Sequence, residues 1–205
     1  MTAGEPIAGP LSKRCAACLM PPGSCLCDRI PRIPLRLQID VIRHVREEDK
    51  LSNSVRVAAL ALPGLRVHRY GVEGPRFDAQ ALLGEGTALL YPPEEGALVA
   101  DPAMVRRLVV PDGTWAQSRR MVRRVPGLLE LPRLHLPELP PARSRLRRPT
   151  TPEGMSTLEA LAAAVALLES EAAAEELLEL YALLVRQVWY LRGRGGHGVS
   201  PGSGL

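Results

Sequence analysis

Along most of the chain, segments with apolar side chains at every second position alternate with segments that have them at every third or fourth position. Residues 35–41 (LRLQIDV) carry apolar side chains at every second position, which predicts a strand. A helix with Asn53 or Ser54 as its N-cap follows and stops at Pro63-Gly64. Further strands are predicted at 65–70, 87–91, 107–110 and, more weakly, 130–136, and further helices at 78–84, 114–125, 157–170 and 172–191. Alternating strands and helices predict an α/β fold with a mostly parallel sheet and helices on both faces.

The length of 205 residues accommodates one such domain with small additions. We predict a flexible N-terminus at 1–13, a cysteine-rich element at 14–30, the α/β domain at 31–192 and a flexible, glycine-rich tail at 193–205. Residues 137–155 are rich in proline and arginine. A loop of that length inside a domain is usually functional or disordered.

The composition argues against a membrane protein and for an anionic partner. No segment approaches 18 uninterrupted apolar residues, and the N-terminus lacks the apolar core of a secretory signal, so we expect a cytoplasmic protein. The net charge is +4, and all basic residues except Lys13 and Lys50 are arginine. Arginine suits phosphate contacts because its planar fork makes paired hydrogen bonds, although GC-rich coding also favours arginine over lysine.

Four cysteines lie within thirteen residues, with the spacing C-x2-C-x6-C-x-C: Cys15, Cys18, Cys25 and Cys27. Four thiolates satisfy tetrahedral Zn²⁺ completely, so a site of this kind is structural. Two disulfides or an iron–sulfur cluster are the alternatives, and a reducing compartment disfavours the disulfides. The spacing predicts a small N-terminal zinc-binding element.

Three segments fall where a parallel sheet places its ligands, at the carboxyl ends of strands. Residues 89–93 (LLYPP) follow one strand, and residues 111–115 (PDGTW) follow another. We expect Asp112 to stand at its strand tip with a free carboxylate. Local turn chemistry offers a plainer interpretation, in which Asp112 caps a helix and Trp115 only packs. Residues 154–160 (GMSTLEA) start a helix, with Ser156 and Glu159 spaced as a capping box.

Two arginine clusters flank these segments. One lies on the helix after Trp115 and the other in the long loop: Arg119, Arg120, Arg123 and Arg124, and Arg143, Arg145, Arg147 and Arg148. Charge runs are often simply solvated, but two runs beside one crevice favour a polyanion such as RNA. The chain has no G-x-G-x-x-G, Walker A or H-E-x-x-H motif.

Together these segments resemble the DTW-domain family, named for an Asp-x-Thr-Trp motif. The matching features occur in order along about 14–190: the cysteine pattern, HVRE (44–47), SNSVR (52–56), LLYP (89–92), DGTW (112–115) with Gln117 and Arg119, the loop arginines and STLEA (156–160). The chain departs from the family pattern at three positions. Val45 replaces a proline, Ser54 a threonine and Ser144 a tyrosine.

The resemblance implies a SPOUT-like, knotted α/β fold and a tRNA-uridine aminocarboxypropyltransferase. In that activity, S-adenosylmethionine donates its 3-amino-3-carboxypropyl group to N3 of a uridine in tRNA and leaves as methylthioadenosine. A SPOUT-type RNA methyltransferase and a non-catalytic, zinc-stabilised RNA-binding module are the alternatives. The sequence leaves the oligomeric state open.

The same resemblance assigns roles to individual residues. Asp112 is the predicted general base, since uridine N3 must lose its proton before it attacks carbon. The residues expected to bind S-adenosylmethionine are Leu90, Tyr91, Pro92, Thr114, Trp115, Ser156, Thr157 and Glu159. The sequence leaves open whether Trp115 stacks on adenine, holds the uracil or forms a wall of the pocket. The residues expected to bind tRNA are His44, Asn53, Arg119, Arg145, Arg147 and Arg148.

Overall fold

Four parallel strands form the centre of the molecule. A computed structural model of the chain describes residues 13–92, 94–137, 146 and 155–193. The strands are β1 (Gln38–His44), β2 (Leu65–Tyr70), β3 (Thr87–Leu89) and β4 (Arg107–Asp112), in the order β2-β1-β4-β3. The helices are α1 (Ser54–Ala61), α2 (Trp115–Arg124), α3 (Thr157–Leu168) and α4 (Glu171–Leu191). Every pairing in this sheet is parallel, which confirms the predicted sheet type.

The two faces of the sheet pack against different helices. Ile39, Val41 and Val110 belong to a core cluster with residues of α1, α3 and α4. The neighbouring positions Ile42 and Val109 point the other way and pack with residues of α2. This alternation follows from the two-residue period of a strand, and it confirms the prediction of helices on both faces.

Polar side chains determine where three of the helices begin. The Asn53 side chain accepts a hydrogen bond from the Arg56 backbone N–H at 3.0 Å and caps α1. Thr114 caps α2, and Ser156 caps α3, and each forms a reciprocal capping box with the residue three positions later. The predicted Ser156 cap is therefore confirmed, and Asn53 rather than Ser54 caps the first helix.

Several predicted elements have other bounds in the structure, among them β3, which ends at Leu89 rather than at Tyr91. The first strand runs from 38 to 44, because the backbone N–H of Leu37 binds the Glu169 carboxylate instead of a neighbouring strand. The helix predicted at 78–84 is a single 3-10 turn, Gln80–Leu82. The strand predicted at 130–136 is reduced to isolated bridges of Arg133 to Leu89 and Val99. Pro132 lacks an N–H group, and this shortens the ladder there.

Part of the chain lies outside this description. The predicted flexible ends fall there apart from residues 13 and 193, as does most of the loop at 137–155. Within the described residues, none of the helices combines the length and the apolar run that crossing a bilayer requires.

Candidate functional site

Asp112 lies at the carboxyl end of β4, where three elements of the fold meet. It is 7% exposed. The Thr157 hydroxyl, from the first turn of α3, donates to Oδ1 at 2.7 Å. The Asn53 amide, from the cap of α1, donates to Oδ2 at 3.2 Å. The prediction of a free carboxylate is therefore wrong, because both helix starts converge on the strand tip and supply donors.

The turn after Asp112 is built so that α2 begins at once. The Gln117 side chain accepts from the Thr114 backbone N–H at 2.7 Å, and Thr114 Oγ1 accepts from the Gln117 N–H at 3.3 Å. Gly113 sits under this box, and a Cβ there would lie 3.0 Å from both Cβ and Oε1 of Gln117. Glycine is needed at this position for close approach.

Opposing forces act on the Asp112 carboxyl group. Burial raises its pKa, whereas the hydrogen bonds from Thr157 and Asn53 lower it, and the net shift is upward. Glu47 raises this pKa further, and Arg43, which lies opposite Asp112 in the register of β1 and β4, lowers it. A carboxylate with two fixed donors and a raised pKa is a stronger and better oriented base than a solvated one.

The segment after β3 brings two aromatic rings to the same edge of the sheet. The rings of Tyr91 and Trp115 meet edge to face, with centroids 6.2 Å apart. Tyr91 is buried, whereas Trp115 is 39% exposed, so Trp115 is not a core residue. Leu90 points into the opposite core cluster, and Pro92 is exposed.

The start of α3 presents Thr157 to the site. Ser156 Oγ accepts from the Glu159 N–H at 3.2 Å, and Glu159 Oε2 accepts from the Ser156 N–H at 2.7 Å. Glu159 is buried. This capping box orients the first turn of the helix, and the hydroxyl of Thr157 consequently reaches Asp112.

The residues predicted to bind tRNA have different surroundings. Asn53 is buried, and its contact with tRNA remains a prediction. Nδ1 of His44 accepts from the Arg46 backbone N–H at 3.2 Å, and burial lowers the pKa of this imidazole, which is therefore neutral at pH 7. Arg119 is exposed on α2. Arg145, Arg147 and Arg148 lie outside the described residues.

Sequence reasoning missed two features of this site. It did not find that Asn53 and Thr157 bind Asp112, since neither residue has a local pattern that points to it. It also missed Arg133, which is 1% exposed and whose guanidinium lies 5.4 Å from the centre of the Tyr91 ring. An arginine at an alternating position of the weak strand 130–136 was the only available signal.

The four cysteines form a second site, away from the sheet. Their sulfur atoms all lie within 4.8 Å of one another, with Cys15 and Cys27 3.6 Å apart and Cys18 and Cys25 3.7 Å apart. A tetrahedral ion with ~2.3 Å metal–sulfur bonds places its ligands ~3.8 Å apart, so the cluster fits one metal ion. Backbone hydrogen bonds, the largest from Cys18, lower the pKa of Cys15 to about 6, whereas burial raises the pKa of Cys27 to about 12, so Cys15 is the thiolate available at neutral pH.

The cysteine element is joined to the α/β domain through α1. Arg56 donates to the Ala17 carbonyl at 3.3 Å and to the Glu48 carbonyl at 2.9 Å. Cys18 and Leu26 are buried in the same core cluster as α1. The cysteine cluster therefore packs against the helix whose cap, Asn53, holds Asp112.

Comparison with known proteins gives the family. The family model described as DTW domain matches residues 12–189. Three curated relatives, each named tRNA-uridine aminocarboxypropyltransferase 2, match at 26% identity (Macaca fascicularis), 28% (Mus musculus) and 30% (Drosophila melanogaster). The matches cover 80%, 80% and 77% of this chain and 59%, 59% and 67% of the relatives, so the chain spans about three-fifths of the first two. Among solved structures, none matches the chain significantly. The chain belongs to the DTW-domain family.

Proposed function

We propose that this protein is a tRNA-uridine aminocarboxypropyltransferase that uses S-adenosylmethionine as its donor. Membership of the DTW-domain family and the names of the three relatives support this reaction class. The observation that carries the proposal is the position of Asp112. It is a buried, doubly hydrogen-bonded carboxylate with a raised pKa at the strand end where a parallel sheet binds ligands.

The reaction needs a base and a fixed orientation. The donor supplies a sulfonium whose γ-carbon is electrophilic. Asp112 takes the proton from uridine N3, the N3 lone pair forms a bond to that carbon, and the carbon–sulfur bond breaks with its electron pair moving to sulfur. The products are the N3-substituted uridine, methylthioadenosine and one proton. Thr157 and Asn53 hold the carboxylate so that a free lone pair remains on each oxygen.

The surroundings of Asp112 suit the two substrates differently. We assign the donor to the strand-end segment, the two rings and the start of α3, with these residues: Leu90, Tyr91, Pro92, Thr114, Trp115, Ser156, Thr157 and Glu159. We assign tRNA binding to His44, Asn53, Arg119, Arg145, Arg147 and Arg148. The exposed arginine on α2, Arg119, supports the second assignment.

The proposal extends to the metal and to the topology. The four thiolates would hold Zn²⁺, since their close spacing suits one tetrahedral ion, whereas an iron–sulfur cluster would set its ligands farther apart. The metal is structural and takes no part in the transfer, because all four positions are filled by cysteine. The SPOUT-like, knotted arrangement implied by the family is part of the proposal, and the parallel sheet with helices on both faces supports it.

Nucleoside analysis tests this function directly. Unmodified tRNA is incubated with the protein and S-adenosylmethionine, and both the digested nucleosides and the small-molecule product are identified by mass spectrometry. We expect 3-(3-amino-3-carboxypropyl)uridine together with an equal amount of methylthioadenosine. S-adenosylhomocysteine and a methylated base would instead establish a methyltransferase. Binding of tRNA with neither product would establish a non-catalytic RNA-binding module.

A further inference from the structure

Arg133 is a buried cation with too few partners. Its side chain is among the largest that are fully enclosed, at 1% exposure. Nε and Nη1 are buried and have no hydrogen-bond partner among the residues that the structure describes. Arginine carries five N–H donors and stays charged, so it is costly to enclose a guanidinium that has two nitrogens without acceptors. Such a group is expected to have an anionic ligand.

The backbone of Arg133 places this cation beside the proposed donor site. Arg133 bridges Leu89, the last residue of β3, and paired residues in a sheet point to the same face. The side chain therefore lies on the α2 face, where its guanidinium stacks over Tyr91. Tyr91 in turn meets Trp115 at the strand-end edge. Arg133 thus lies directly behind the aromatic pair of the site.

The resident protein groups neutralise this charge only weakly. Burial lowers the pKa of Arg133, and the opposing effects come from Glu94 and Tyr91. Glu94 is exposed and makes no ion pair with Arg133 within 4.0 Å in the described part of the chain. The cation–π contact with Tyr91 occupies one flat side of the guanidinium and leaves Nε and Nη1 without a hydrogen-bond partner among the described residues.

We propose that Arg133 binds the α-carboxylate of the donor's amino-acid end. This inference rests on the proposed function, since it names the anchor for one end of S-adenosylmethionine. A carboxylate accepts two parallel hydrogen bonds from the edge of a guanidinium. Held at the carboxylate by Arg133 and elsewhere by the strand-end segment, the three-carbon chain turns its γ-carbon, rather than the methyl group, toward the acceptor. Arg133 is in this sense a specificity determinant of the transfer.

A phosphate of the tRNA backbone is a poorer ligand for this group. Phosphates bind at surfaces because the polymer is bulky, and Arg133 is almost completely enclosed behind Tyr91. A carboxylate at the end of a small, flexible ligand needs far less room than a phosphate within a polymer.

The test compares S-adenosylmethionine with its decarboxylated analogue, which lacks only the carboxylate. Dissociation constants for both are measured by calorimetry on the full chain, for the wild type and for Arg133→Met. We expect the wild type to bind S-adenosylmethionine about 10- to 100-fold more tightly than the analogue, as for a charge-assisted pair. Arg133→Met should reduce this preference to within about twofold while it leaves the affinity for the analogue nearly unchanged.

Two further variants keep the outcome clear. Arg133→Lys preserves the charge but not the paired hydrogen-bond geometry, so it should retain a reduced preference for S-adenosylmethionine over the analogue. This variant also provides the test if Arg133→Met fails to fold. Arg107→Met is the matched control, because Arg107 lies at the opposite end of β4, where it donates to Gln38 and to the Ala81 carbonyl. We expect this control to keep the wild-type preference.

The possible results separate the subsite from the function. A wild type that binds both ligands equally, or Arg133 variants that keep the full preference, would overturn the carboxylate subsite and leave the transferase proposal intact. A wild type that binds neither ligand would overturn the donor assignment and the subsite with it.

Discussion

Replacing Asp112 with asparagine removes the proposed base while preserving the shape of its surroundings. In the wild type, Thr157 donates to one carboxylate oxygen and Asn53 to the other. An asparagine can turn its oxygen toward the Asn53 amide and its NH2 group toward Thr157, whose hydroxyl can rotate to accept. Both contacts survive, and only the charge and the proton-accepting capacity are lost.

The expected magnitudes differ strongly between catalysis and stability. A positioned general base contributes about 10²–10⁴ in rate, and Asp112→Asn should lower the transfer rate by about that factor. Its free energy of unfolding should stay within about 1 kcal/mol of wild type, because no buried donor loses its acceptor. Asp112→Ala strands both donors and should cost about 2–5 kcal/mol.

The assay measures methylthioadenosine release under single-turnover conditions, with saturating tRNA and donor, alongside urea unfolding of each variant. Asp40→Asn is a matched control. Asp40 is also a buried strand carboxylate, but it pairs with His68 at 2.7 Å on the opposite face of the sheet. This control should lose stability and retain the transfer rate. If Asp112→Asn kept a transfer rate within about threefold of wild type, the assignment of the base would be refuted.

The pH dependence of stability provides an independent check of the raised pKa. Burial raises the pKa of Asp112 above its value of ~3.9 in the unfolded chain, and the folded state therefore holds its proton more tightly. The stability gained from this tighter proton binding is fully present below the unfolded-state pKa and is lost as the pH rises through the folded-state pKa. The stability of Asp112→Asn relative to wild type should therefore increase with pH across that window, as measured by urea unfolding. A flat or decreasing difference would contradict the raised pKa.

Three further substitutions probe the metal, the turn and the RNA surface. Cys18→Ser should lower bound zinc, measured by elemental analysis, well below one ion per chain and reduce the melting temperature, whereas unchanged metal content would exclude the four-cysteine site. Gly113→Ala should cost about 1 kcal/mol or more in unfolding free energy, because its Cβ meets Gln117 and disturbs the capping box, and a neutral result would show that the box relaxes freely. Arg119→Ala should weaken tRNA binding and reduce the slope of log affinity against log salt by about 1, and an unaltered slope would place Arg119 outside the interface.

Local features of the site were predictable from the sequence. The Ser156 capping box, the strand tip at Asp112 and the start of the following helix each depend on residues within a few positions of one another. The spacing of the cysteines likewise indicated one compact metal centre, and the four sulfurs do converge. Physical preferences of this kind act over one turn, so a single sequence carries them.

Weakly patterned elements were not predictable in the same way. The strand expected at 130–136 exists only as bridges of Arg133, because Pro132 breaks the ladder and because tertiary contacts of Leu89 and Val99 determine what remains. The strand β1 also begins at Gln38 rather than at Leu35 as predicted, because the Leu37 backbone N–H binds Glu169, which is 132 positions away.

The sequence alone determined the α/β class, the Ser156 capping box, the four-cysteine cluster and the location of Asp112 at a strand end. Only the tertiary structure decided the state of that carboxylate and of Arg133. The donors to Asp112 come from 59 positions before it and 45 positions after it, and no local pattern connects them. Arg133 is buried where its backbone bridges both Leu89 and Val99. The burial and the hydrogen-bond partners of a charged group arise from packing between distant segments. These two properties determine its pKa and its capacity to bind a ligand.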